Sequence, residues 1–283
     1  MKKFPTFIFR SVLGKELHRQ SCILLKQDCL QCPVNNFCVY SKIFFSPVVS
    51  NEAFKGNKKP HPFTIFVDLP VREKVKECKL KILLIGNDYN YLPFLYMALI
   101  KAGEKGIFRE RIKFFIKDVL FEGKKINPNE QIFEKYPPLL WEINSDINCK
   151  NRESKKIDLL TPVKIQRNKK LVRNLTYKEL IKNGMRRLKL LTLFYGEGED
   201  FFINLDFLTD SISKEERELS VVSLRYRSFR QKKTIPMSGV RGFIEVEKQF
   251  SPMEESLLTG MEIFGVGKAT SFGFGRIKIG RQT

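Results

Sequence analysis

The sequence is short of the features that would place it in a membrane or in several common enzyme classes. Its longest apolar stretch, Tyr91–Ile100, is interrupted by Pro93 and is half of the roughly 20 residues a spanning helix needs. The apolar run at the N-terminus ends at Arg10 with no small-residue cleavage site behind it. From that pattern no secretory signal is expected, and the expected location is the cytoplasm. No G-x-S-x-G elbow occurs, and no serine or cysteine has the neighbours a nucleophile needs. The paired carboxylates of a two-metal nuclease are missing too, since Asp88 and Asp158 read as isolated turn residues. Histidine is scarce, with only His18 and His61 in 283 residues.

Negative charge is also in short supply. Lys and Arg number 51 against 31 Asp and Glu, a formal net charge of +20. A field of that sign suits a polyanionic partner, nucleic acid or an anionic membrane surface, and works against a basic one. The plainer reading is a surface on which lysine is simply the default residue.

The length suits two domains of ordinary size. Residues 4–9 read as a short strand and 11–26 as a helix, with Val12, Leu13, Leu17, Leu24 and Leu25 apolar. Strands are expected at 63–69, 79–86 and 111–120, and a helix at 91–102 with Gly103 as its stop. Periodicity weakens from Glu122 to Lys156, which sets a boundary near Glu153 and domains of 1–153 and 154–283. A strand then covers 157–165. Thr176 and Glu179 form a capping box at the head of a helix reaching Tyr195. Strands near 217–229 and 239–247 follow. A helix opens at Ser251–Pro252, and a last strand spans 275–279. Each half thus reads β-α-β-β-α-β, so the expected fold class is α+β: two tandem ferredoxin-like domains with a small cysteine-rich insertion after the first helix.

The most specific signal lies near the C-terminus. Residues 265–275 read GVGKATSFGFG, with Gly265, Gly267, Gly273 and Gly275 in pairs that each enclose one hydrophobic residue, and Lys268 in the gap. Paired glycines let backbone approach a phosphate closely, and turn amides with a lysine could make an anion nest. A glycine-rich hairpin that only packs a sheet edge would look the same. No strand–GxxxxGK[ST]–helix order surrounds the loop, so it is not a Walker loop.

This glycine pattern resembles the terminal loop of the RAMP superfamily of CRISPR-associated proteins. RYRSFRQKK (225–233) with GVRGFIEV (239–246) is similar to the stretch before that loop in the CRISPR repeat-processing endoribonucleases. Residues 83–114 resemble their central segment, and the N-terminal helix followed by clustered cysteines fits as well. The resemblance covers most of the chain and is weakest over 121–156. It implies two ferredoxin-like domains and a metal-independent ribonuclease that cuts CRISPR repeats to release guide RNAs. The ribose 2′-hydroxyl would attack the adjacent phosphate, leaving a 2′,3′-cyclic phosphate and a 5′-hydroxyl. It equally admits a non-catalytic RAMP subunit that binds guide RNA in an effector complex. The partners so implied are CRISPR repeat RNA, other effector subunits and a second copy of the chain.

Such a cleavage needs a base, an acid and cations around the phosphorane. In the resembled family a histidine in or just after the first helix often serves, which selects His18. Lys15 lies three residues earlier and on the same face. Tyr40 and Lys42 are secondary catalytic candidates, and His61, between two prolines, is the other histidine. On a strand, Arg225 and Arg227 share one face, with Tyr226 turned the other way. With Arg230, and with Arg109 and Arg111 at the same spacing in the first half, they suit phosphate contacts.

Cys22, Cys29, Cys32 and Cys38 give C-x6-C-x2-C-x5-C. In a reducing compartment that spacing suggests a metal: a structural Zn²⁺, or alternatively an iron–sulfur cluster. No cofactor is expected in catalysis, because four thiolates leave a metal no open position. Reduced cysteines packed as small hydrophobes are the other reading. An oxidation-sensitive nucleic-acid protein is a third functional class.

Overall fold

The computed structural model describes residues 4–24, 28–29, 31–46, 59–68, 77–108, 110–127, 136–149, 152–197, 206, 208, 211–228 and 233–280. Helix α1 runs from Pro5 to Ser21. The strand expected over 4–9 is therefore helical. Phe4 is extended and Pro5 sits in the first turn, where its missing N–H is not needed. Thr6, Phe7, Arg10, Leu13, Glu16 and Leu17 are all buried, a spacing that only a helix turns to one side. Burial of Arg10 and Glu16 is compensated locally. The Arg10 guanidinium lies over the rings of Phe44 and Phe63, 5.0 and 5.2 Å from their centroids. Glu16 accepts from Arg19 at 2.8 Å and from Lys105.

Strands β1 (Phe63–Asp68) and β2 (Lys79–Leu84) pair with each other. Helix α2, Leu92–Lys105, packs against α1 and continues past Gly103 to end at Gly106. The expected strand over 111–120 is broken: Arg111 takes φ 50, Ile107 and Ile112 form one isolated bridge, and regular pairing starts only at Val119. Strands β3 (Val119–Phe121) and β4 (Lys124–Ile126) make a small hairpin.

The second half is a complete ferredoxin-like unit. It contains β5 (Arg152–Val163), the short β6 (Gln166–Arg167) and β7 (Lys170–Leu171), and α3 (Tyr177–Tyr195). It continues with β8 (Lys214–Arg227), β9 (Thr234–Gln249), α4 (Pro252–Phe264) and β10 (Ile277–Ile279). Its main sheet has the order β10-β5-β9-β8, antiparallel throughout. That is the 4-1-3-2 order of the βαββαβ unit. Thr176 caps α3 with Glu179 in a full capping box, and Ser251 caps α4 ahead of Pro252. The core joins Ile157, Val240, Ile244 and Val246 of the sheet to Leu180, Leu188, Leu257 and Met261 of the helices.

One polar network lies inside this core. Lys248 and Glu254 are each 1% exposed and pair at 2.6 Å. Lys248 also donates to the Leu208 carbonyl, and the buried Tyr177 hydroxyl donates to Glu254. Burial pushes the Glu254 carboxyl up, and Lys248 pulls it back.

By its contacts the chain separates into two compact units: Phe4–Phe63 with Leu84–Leu140, and Thr64–Leu83 with Trp141–Thr283. Among the described residues no helix is long and apolar enough to cross a membrane.

Candidate active site

The first compact unit gathers most of the candidate chemistry around one short turn. Ser41–Phe45 form a π-helical turn, closed by the Ser46 amide bonding to the Ser41 carbonyl at 2.7 Å. Tyr40 stands directly before it. The Tyr40 ring meets His18 of α1 edge-on, centroids 4.7 Å apart, and stacks on Phe44 at 5.7 Å. His18 is half-buried, and burial pulls its imidazole below the ordinary histidine range, so the neutral ring dominates at pH 7. Lys15, one turn earlier on α1, is half-buried too.

Lys42 lies within the turn and reaches another way. Its Nζ donates to the Tyr91 hydroxyl at 2.9 Å and sits 5.5 Å from that ring's centroid. Lys59 and Asp88 flank it. Burial pushes the Lys59 ammonium down, opposed by Asp88 and helped by Lys42. Burial pushes the Asp88 carboxyl up, opposed by Lys59 and Lys42. At the far end of the turn, the Ser46 hydroxyl lies 3.0 Å from Nδ1 of His61. The structure thus brings together His18 with Tyr40, and separately Lys42 with Tyr91, Lys59 and Asp88. Asp88 is no isolated turn residue. Ser46, Lys59 and Tyr91 carried no signal in the sequence, because their partners stand 15 to 49 positions away in chain order.

The cysteines do not assemble as their spacing suggests. Cys22, Cys29, Cys32 and Cys38 line one small pocket together with His18 and Tyr40. Yet among the described residues no three His, Cys, Asp or Glu side chains stand close enough to hold a metal ion. None of the cysteines is in a disulfide. The Cys38 thiol points to the Ser21 carbonyl at 3.9 Å, the geometry of a weak S–H donor rather than a thiolate ligand. The structure therefore supports neither the zinc nor the iron–sulfur expectation.

In the second unit the glycine loop follows α4 and leads into β10. Gly267 and Gly275 have φ of 74° and 77°. A methyl group at Gly267 would come within 2.7 Å of the Lys164 carbonyl oxygen, and one at Gly275 would run into that of Val266. Val266 and Phe274 are fully buried. The loop amides are spent inside the protein. Val266 N–H bonds Gly275, Lys268 N–H bonds Lys164 and Gly275 N–H bonds Pro162, at 2.8 to 3.0 Å. The outward nest suggested by the spacing therefore lacks those donors. Lys268 remains at the surface, its ammonium 3.0 Å from the Gln166 side-chain oxygen.

The end of β8 abuts this loop. Tyr226 packs edge-on against Phe272 at 4.9 Å, while Arg225 and Arg227 are exposed. Arg111 is exposed in the first unit, and Arg109 and Arg230 lie outside the described residues.

Comparison with known proteins adds an independent line. Residues 1–140 match a family model described as an N-terminal domain. Residues 157–277 match the model of the CRISPR-associated endoribonuclease Cas6. No curated protein matches the sequence. A Cas6 product complex from Thermus thermophilus is 15% identical, covers 98% of this chain and 95% of its own, and superposes with a TM-score of 0.51. A Cas6-related protein from Pyrococcus furiosus is 11% identical over 100% of this chain and 96% of its own, with a TM-score of 0.43. The first likeness carries the fold, an α+β architecture of tandem ferredoxin-like domains. Residues 157–277, which carry most of the βαββαβ unit and its whole glycine loop, are therefore similar to the CRISPR-associated endoribonuclease Cas6.

Proposed function

We propose that the protein cuts CRISPR precursor transcripts within their repeats, without a metal, by attack of a ribose 2′-hydroxyl on the adjacent phosphate. The products are a 2′,3′-cyclic phosphate and a 5′-hydroxyl. The observation that carries the reading is the Cas6 match over residues 157–277. The first unit offers the groups such a reaction needs. His18, Lys15, Tyr40 and Lys42 are the proposed catalytic side chains. His18, held neutral and backed by Tyr40, serves one of the two proton transfers. Lys42 supplies positive charge to a phosphorane.

In the second unit Arg225, Arg227 and Lys268 offer exposed cations for the RNA backbone. Such contacts set affinity and register but carry little sequence information. Repeat RNA is the proposed substrate, and other effector subunits and a second copy of the chain are proposed partners.

The test uses labelled repeat RNA from the source genome, in EDTA, beside copies with a 2′-deoxy sugar at each position in turn. Cleavage at one site, lost with one 2′-deoxy substitution only, supports the reading. Tight binding without cleavage makes the protein a guide-RNA-binding subunit instead. Cleavage that needs an added divalent ion refutes the metal-free step.

A further inference from the structure

Just before β3 the chain closes a turn and opens again. Ile107 and Ile112 hold each other by both backbone hydrogen bonds, at 2.8 and 2.9 Å, with Phe108 and Arg111 between them at left-handed φ of 63° and 50°. The residues after Ile112 join no strand until Val119. Their burial nonetheless alternates as in a strand: Phe114 and Ile116 turn inward, and Lys113, Phe115 and Lys117 are exposed.

Phe114 locks that alternation. Its amide donates to the Gly103 carbonyl of α2 at 3.3 Å, and its ring meets Phe9 of α1 edge-on at 5.8 Å. A methyl group at Gly103 would run into the Phe114 carbonyl oxygen, so only glycine lets the segment lie this close to α2. With Phe114 held against both helices, its neighbour points away. Phe115 is 85% exposed, more than any other large hydrophobic side chain among the described residues. Among those residues its ring meets no other ring and no cation.

A lone exposed phenylalanine is ordinary on a protein surface. This one stands between two ammonium groups. At an extended rise Lys113 and Lys117 lie roughly 6.6 Å from Phe115 along the chain, one on each side of it. That stride is close to the distance between successive phosphates of an extended single strand. Arg111 is exposed further along, and neither it nor Lys113 forms an ion pair among the described residues. An apolar protein partner would call for apolar neighbours beside the ring, and both are cations. The ligand that matches is a polyanion with a flat apolar face, and an unpaired nucleotide is one. A paired base has its faces covered by the stack, so a stem does not qualify.

We propose that Phe115 is a stacking platform for one unpaired base of the repeat RNA, with Lys113 and Lys117 holding the phosphates on either side of it. This rests on repeat RNA being the substrate, as proposed above, and adds where an unpaired stretch of it lies. Stacking uses the face of a base and not its edge, so the site takes any base.

The experiment titrates the whole chain with repeat RNA and with copies lacking the base at one position in turn, and records the melting temperature of each variant. Phe115→Ala should weaken binding of intact RNA about 5- to 150-fold, the range of one stacked base, with melting temperature held. Phe115→Trp should bind at least as tightly as wild type, and Phe115→Leu should lose affinity as Phe115→Ala does. At one unpaired position, removing the base should weaken binding by the wild type but not by Phe115→Ala. Lys113→Ala should flatten the dependence of log affinity on log salt by about 1, which Phe115→Ala should not. Wild-type affinity in Phe115→Ala overturns the proposal and leaves the ring to a protein partner. Wild-type affinity in Phe115→Leu overturns it too, since the contact would then be one of apolar bulk and not of stacking. So does the lack of any position coupled to Phe115. If the wild-type protein binds no repeat RNA, the reading of its substrate falls and this inference with it. If it binds and Phe115→Ala binds equally well, only this inference falls.

Discussion

A histidine half-buried against a tyrosine pays for protonation with lost hydration, and His18 is such a residue. Its imidazole resonances should titrate below those of an ordinary histidine when followed by NMR, and an ordinary midpoint would show that its ring is wetter than described. The sign for stability follows. The folded state binds the proton less readily than the unfolded chain, so this contribution is present above the ordinary histidine range and is lost as pH falls through the lowered value. His18→Ala should slow cleavage by on the order of 10²- to 10⁴-fold while RNA affinity stays the same. An unchanged rate would take His18 out of the chemistry. The sequence and its family resemblance named His18, Tyr40 and Lys42 as candidates, and the structure sets His18 against Tyr40 and Lys42 against Tyr91. Sequence and resemblance could not pick out Ser46, Lys59, Asp88 and Tyr91. Each of those owes its surroundings to tertiary contacts, and periodicity carries no trace of contacts between distant positions.

Elements show the same division. Capping chemistry is local, so Thr176 with Glu179 and Ser251 with Pro252 marked two helix starts that the structure repeats. Residues 4–9 and 111–120 misled for a local reason as well. A short apolar run satisfies strand and helix alike, and a left-handed Arg111 leaves no mark in hydropathy. The glycine loop was legible as a loop, but the use of its amides was not. Gly275→Ala should cost about 1–3 kcal/mol in denaturant unfolding, since the new methyl would meet the Val266 carbonyl oxygen at φ 77. A neutral result would mean that the loop relaxes freely. For β8, removing Arg225 and Arg227 together should weaken RNA binding for all sequences alike. It should also flatten the dependence of log affinity on log salt by about 1–2. An unchanged slope would mean that these arginines do not meet phosphate.

At the scale of the molecule, basic residues outnumber acidic ones 51 to 31, and among the described residues the second unit buries the Lys248–Glu254 pair in its interior. Lys248→Met alone strands the Glu254 carboxylate and should cost about 3–5 kcal/mol. Lys248→Met with Glu254→Leu should recover most of that loss in the same melt. If the double variant is as unstable as the single one, the cost lies in packing around position 248 and not in the unpaired charge.

The same pair bears on how parts of this protein can be exchanged with relatives. Lys248 and Glu254 sit six positions apart, at the end of β9 and the start of α4, so one short graft carries both. The hydroxyl that completes them belongs to Tyr177, on a different helix. A chimera that takes β9 and α4 but brings phenylalanine at 177 would import a lysine and a glutamate while leaving out their third partner. The natural crossover point for recombinants therefore lies before α3, ahead of residue 177, and not within the β8–β9 hairpin.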